Sequence, residues 1–249
     1  MEEILTQIGE LSPVLIMGLG LAIGLEHAFE PDHVAAVGTQ VSKGRFAQKT
    51  TKQIVKSGAI KSSILGAMWG AGHTTTLVLV GLLVYALAIN IEQQVFSGLE
   101  FTVGIMLVIL AITTMLNKKF RFKHRHPHQH KDGTIHYDAH DHLDVNHRHG
   151  HKSYLIGCIH GLAGSGSLVV ITAATLNNAA MVLSFILIFG IGSIIGMALV
   201  SGILGLPFAL SSKAEKIHRI LRYAAGAFSL LIGVNILYSV GIVDNLFGL

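Results

Sequence analysis

Residues 24–38 read GLEHAFEPDHVAAVG, which places two histidines and three carboxylates (Glu26, His27, Glu30, Asp32, His33) in an apolar run of membrane-spanning length. No water solvates side chains in a hydrocarbon core, so ionisable groups there mark a functional site by default. Carboxylate oxygens and imidazole nitrogens at this density suit a first-row divalent metal ion. At about 100° per residue, His27, Glu30 and His33 share an arc of about 120° that also holds Glu26, while Asp32 points elsewhere on an ideal helix. Pro31 alters that geometry. It has no N–H, so the His27 carbonyl is expected to lose its helical partner, the helix to kink and Asp32 to swing inward.

Two later histidines are candidate partners. His73 stands in Gly70-Ala71-Gly72-His73-Thr74-Thr75-Thr76. There the glycines allow close backbone approach, and the threonine hydroxyls are expected to orient an imidazole or line a pore. His160 opens His160-Gly161-Leu162-Ala163-Gly164-Ser165-Gly166-Ser167 and reads as a further ligand or a gate, with Ser165 and Ser167 beside an ion path. This glycine-rich run lacks the lysine and preceding strand of a phosphate-binding loop, so nucleotide binding is rejected. The metal site expected from these residues is His27, Glu30, Asp32, His33, His73 and His160.

The elements that must position them are transmembrane helices. The chain is 51% hydrophobic and only 13% charged, against about 25% charged in soluble domains. Six apolar stretches approach or exceed the roughly 20 residues a span needs: about 12–38, 60–89, 95–116, 153–176, 180–210 and 221–241. Three of them exceed 25 residues and predict tilt, kinks or re-entry. The single cysteine, Cys158, excludes an internal disulfide framework and a cysteine-based metal site. The N-terminus, MEEILTQIGE, is acidic and reads as no signal peptide.

All 18 Lys and Arg fall in the first, third and fifth loops. The basic composition therefore reads as positive-inside topology rather than nucleic-acid binding, with odd loops cytoplasmic, both termini outside, and a multi-pass protein of the plasma membrane. The third loop carries ten histidines within residues 124–151. It reads as a cytosolic metal-binding tract without order of its own, for capture, buffering or sensing.

The halves resemble each other in order. Gly24-x-x-His27 pairs with Gly157-x-x-His160, Trp69-Gly-x-Gly72-His73 with Phe189-Gly-x-Gly192-Ser193, and Phe101-x-x-Gly104 with Tyr223-x-x-Gly226. With three helices per half, the second must enter from the opposite side, an inverted repeat with its site near the midplane. The expected fold is thus all-α: residues 1–116 form the first three-helix repeat, 117–152 the histidine-rich loop and 153–249 the second repeat.

These residues resemble the nickel/cobalt transporter (NiCoT) superfamily. Its early-helix signature H-A-x-D-A-D-H reads H-A-F-E-P-D-H at residues 27–33, and its G-H-S/T-T motif is matched by residues 72–75. The six-helix length and the HGLAGS run are closer to the smaller UreH-type branch than to eight-helix permeases, and the His-rich loop resembles that of nickel/cobalt efflux members. Glu30 and Pro31 depart from the signature, and the later L-G-F-D-T-A-T-E motif has no counterpart.

The function expected from residues and resemblance together is secondary transport of Ni²⁺, then Co²⁺, without nucleotide, cofactor or enzymatic chemistry. No HExxH motif supports a metalloenzyme. Uptake is preferred; efflux and a metal-binding accessory subunit of a larger transport system are the alternatives. Acid should weaken binding, because ligating imidazoles must be deprotonated.

Overall fold

The computed structural model describes residues 13–43, 50–87, 93–116, 126–129, 135–138, 149–161, 179–244 and 246. Its described helices are α1 (Pro13–His27), α2 (Pro31–Val41), α3 (Thr51–Leu87), α4 (Gln93–Met115), α5 (His149–His160), α6 (Ala179–Leu210) and α7 (Glu215–Tyr238). A 3₁₀ turn, Ser211–Lys213, joins α6 to α7, and a π-turn, Ser239–Val243, extends α7.

The segments Thr51–Leu83, Gln94–Met115, Ala180–Lys213 and Glu215–Val243 are each long and apolar enough to cross a membrane. The molecule is a polytopic, predominantly helical membrane protein. Its packing matches a lipid solvent. Ile191, Ile195, Leu199 and Ile203 form an outward stripe on α6, while Ser193, Ser201, Ser229, Thr39 and Thr114 are buried. Where lipid surrounds the helices, their association rests on close packing of small residues and interhelical hydrogen bonds rather than on hydrophobic burial. Ser229 Oγ accordingly donates to the Leu107 carbonyl at 3.0 Å, joining α7 to α4.

Glycines set the closest approaches. A methyl group at Gly24 on α1 would run into the Phe189 carbonyl oxygen on α6, and one at Gly192 on α6 would lie 2.5 Å from the Leu21 carbonyl oxygen. The same arrangement recurs between α5 and α3: Gly157 faces the Trp69 carbonyl, and Gly72 faces that of Tyr154.

Three details differ from expectation. The first span is broken rather than kinked, since α1 ends at His27 and α2 starts at Pro31. Lys52, Lys56 and Lys61, expected in the first loop, ride on the opening turns of α3, which begins at Thr51. Within the histidine-rich loop, expected to lack order, β1 (His126–Gln129) and β2 (Ile135–Asp138) pair antiparallel, with His128 opposite His136. The strand-forming Ile135 and Tyr137 follow an Asp132-Gly133 dipeptide, a hairpin signal. Ser165 and Ser167 lie outside the described residues.

Candidate metal centre

The break in the first span follows from Pro31. The residue before a proline is driven out of the α region, and Glu30 has φ −56° and ψ 142°. Pro31 then sits at the first helical position of α2, where a missing N–H is harmless. The His27 carbonyl has no i+4 donor, as expected, but it is not left free, because the Glu30 N–H donates to it at 3.1 Å. Asp32 lands in the first turn of α2, where a negative side chain is favourable, and one of its oxygens accepts the His33 backbone N–H at 2.8 Å.

This corner brings all six candidate residues into one cluster. His27 Nδ1 donates to Glu30 Oε1 at 2.7 Å, and His33 Nδ1 donates to Asp32 Oδ1 at 2.8 Å. His160, at the end of α5, donates from Nε2 to Asp32 Oδ2 at 2.9 Å. His73 enters from α3, its ring 5.1 Å from that of His27 and 5.4 Å from that of His33. All four histidines are buried. Glu26 points outward and takes no part.

The hydrogen bonds divide the labour. The carboxylates, expected to be oxygen ligands, each engage imidazole nitrogens. An imidazole that donates from one nitrogen carries its lone pair on the other, and a carboxylate partner selects that tautomer and fixes the ring. Buried His27 Nε2, His33 Nε2 and His160 Nδ1 have no hydrogen-bond partner among the described residues. His27, His33 and His73 can each present one nitrogen so that all three lie within 4.8 Å of one another. Asp32, His33 and His160 form a second such group that shares His33. Imidazole-rich donor sets with carboxylates nearby suit Zn²⁺, Ni²⁺, Cu²⁺ or Fe²⁺ better than Mg²⁺ or Ca²⁺.

Neighbours hold the cluster in place. Trp69 is fully buried, with its ring 5.0 Å from His33 and 5.2 Å from His160. Phe189 stands 5.5 Å from His27. The threonines after His73 act differently from expectation. Thr74 donates to the Gly190 carbonyl, Thr76 to those of Gly72 and Cys158, and Thr75 to that of Ala71. The bonds of Thr74 to Gly190 and of Thr76 to Cys158 join helices, as does the one Thr75 accepts from the Tyr154 hydroxyl, and none orients an imidazole.

A relative in Bacillus sp. (strain TB-90), the urease accessory protein UreH, is 35% identical over 94% of this chain and 95% of its own. The chain belongs to the UreH family. Residues 70–235 also match the family described as the cytochrome C biogenesis protein transmembrane region. A more distant relative in Arabidopsis thaliana, chloroplast protein FOR GROWTH AND FERTILITY 1, is 25% identical over 88% of this chain and 58% of its own length. No solved structure matches. The relative is described as an accessory protein and the family as a transmembrane region, and neither description is that of a catalytic family.

Reading the residues alone missed the aromatic walls, Trp69 and Phe189, and also Glu100, the one charged residue of α4. Glu100 carried a usable signal, since it is an ionisable group in an apolar span.

Proposed function

We propose that this UreH-family protein is a secondary transporter of divalent transition-metal ions, nickel first and cobalt second. The observation that carries the reading is the buried convergence of His27, His33 and His73, whose ring nitrogens come within 4.8 Å. An accessory role for the relative in a urease system fits a membrane protein that handles nickel. The reading also extends the resemblance of residues 27–33 and 72–75 to nickel/cobalt transporters.

Six spans in a 3+3 inverted repeat are part of the proposal. It is supported by the matched glycine contacts, Gly24 on Phe189 and Gly192 on Leu21 in one pair, Gly157 on Trp69 and Gly72 on Tyr154 in the other. The partners Leu21 and Tyr154 each lie three residues before the corresponding glycine. Alternating access would then rock the halves around the histidine cluster, with the odd loops cytoplasmic by their Lys and Arg content.

Uptake is the favoured direction. A dication moving inward gains about 4.6 kcal/mol at 100 mV inside-negative, at about 2.3 per elementary charge. The test is flux of Ni²⁺, Co²⁺, Zn²⁺ and Mn²⁺ into liposomes holding the purified chain. Saturable Ni²⁺ flux that His27→Ala abolishes is expected; unimpaired flux in that variant overturns the site. Lower cellular nickel on expression would reverse the direction. Flux only in the presence of a partner protein would favour an accessory subunit.

A further inference from the structure

We propose that the cavity beside the histidine cluster is the vestibule by which a hydrated divalent cation reaches it, with Glu100 and Asn235 as outer binding residues. The inference rests on the transport reading and extends it to residues of α4 and α7. The cavity, of about 360 Å³, has polar lining from Glu30, Asp32, His160, Glu100 and Asn235. Asp32 and His160 also belong to the cluster, so cavity and cluster share a wall.

The chemistry of the lining selects a cation. Three carboxylates face the space with no Lys or Arg among the lining residues. Glu100 has no ion-pair partner among the described residues, although it lies in a span whose other residues are uncharged. A carboxylate kept there at a cost of kcal/mol size asks for a compensating charge. The remaining walls, including Val103 and Ile232, are apolar, and low-dielectric walls focus the field of the carboxylates into the cavity. The Asn235 amide adds a carbonyl oxygen of the hard type a hydrated dication accepts. The volume holds on the order of ten waters, enough for a dication with about six in its octahedral shell.

A separate observation points the same way. His160 is 1% exposed yet lines the cavity, and its Nδ1 has no hydrogen-bond partner among the described residues while Nε2 donates to Asp32. His160 thus forms part of the wall where carboxylates would first hold the ion and, through Asp32, ties that wall to the buried cluster.

Initial Ni²⁺ flux into liposomes, measured across concentrations, tests the vestibule beside calorimetric Ni²⁺ binding to the same detergent-purified protein. Glu100→Gln should raise KM for flux about tenfold. Asn235→Asp, which adds a carboxylate to the same wall, should lower KM, a gain that a misfolded chain cannot give. A wild-type KM in Glu100→Gln overturns the vestibule, as does an unchanged or raised KM in Asn235→Asp. A wild-type chain that neither binds nor moves Ni²⁺ overturns the transport reading and the vestibule with it.

Discussion

Asp32 Oδ2 accepts a hydrogen bond from His160 Nε2 at 2.9 Å, across 128 residues of chain. The other oxygen of the same carboxylate holds His33, so one side chain orients two imidazoles on helices from opposite halves of the protein.

Replacing Asp32 with Asn keeps the shape but leaves an amide that cannot accept from both rings with both of its atoms. Nickel affinity should fall about 10–100-fold, the usual range when a group orienting a ligand is lost. Calorimetry on detergent-purified protein checks this, with circular dichroism to confirm an unchanged helix content. Affinity equal to wild type would show that Asp32 does not set the rings.

Pro31→Ala restores an N–H that can reach the His27 carbonyl and rejoin α1 to α2. A continuous helix turns Asp32 away from the arc shared by His27 and His33. Thermal stability should hold or rise while nickel affinity drops about tenfold, because the imidazoles lose their carboxylate partner. Parallel melting and binding curves separate the two effects.

Gly24→Ala and Gly157→Ala each drive a methyl group into a facing carbonyl oxygen, that of Phe189 or Trp69. Each should destabilise the protein by about 1–3 kcal/mol, the cost of overpacking a tight contact, read as a lowered unfolding midpoint in detergent. Gly18→Ala, with open space around it, is the control and should match wild type.

Lys43, just beyond α2, is half-buried and donates to Thr113 Oγ1 at 3.1 Å. Burial, with Lys152 nearby, lowers its pKa from 10.5 to about 8. Below about 8 both folded and unfolded chains hold the proton, and the cost of burying the charge is fully present. From there up to 10.5 the unfolded chain keeps a proton the folded chain has shed, so stability rises with pH. Fluorescence-monitored melting across this window should show the rise, and Lys43→Gln should flatten it.

Much of the site was legible from residue types alone. Charged and imidazole groups are so unfavourable in hydrocarbon that His27, Glu30, Asp32 and His33 declared themselves, and Pro31 announced a distortion beside them. Spacing put Glu26 on the arc of His27, Glu30 and His33, but the helix ends at His27 and the ideal arc no longer applies. The threonines after His73 misled for a related reason. A hydroxyl serves any nearby acceptor, and the carbonyls of Gly190 and Cys158 are brought within reach only by packing.

By itself, then, the sequence determined a polytopic helical membrane protein, its ionisable cluster and the proline that shapes it, because the free energy of placing a charge or an unpaired backbone group in lipid depends on residue type and local order. Only the tertiary structure decided that Asp32 clasps both His33 and His160, that Trp69 and Phe189 wall the cluster, and that Glu100 and Asn235 meet across a cavity beside it. Those relationships join helices distant along the chain, and their distances follow from glycine-set approaches that no local pattern encodes.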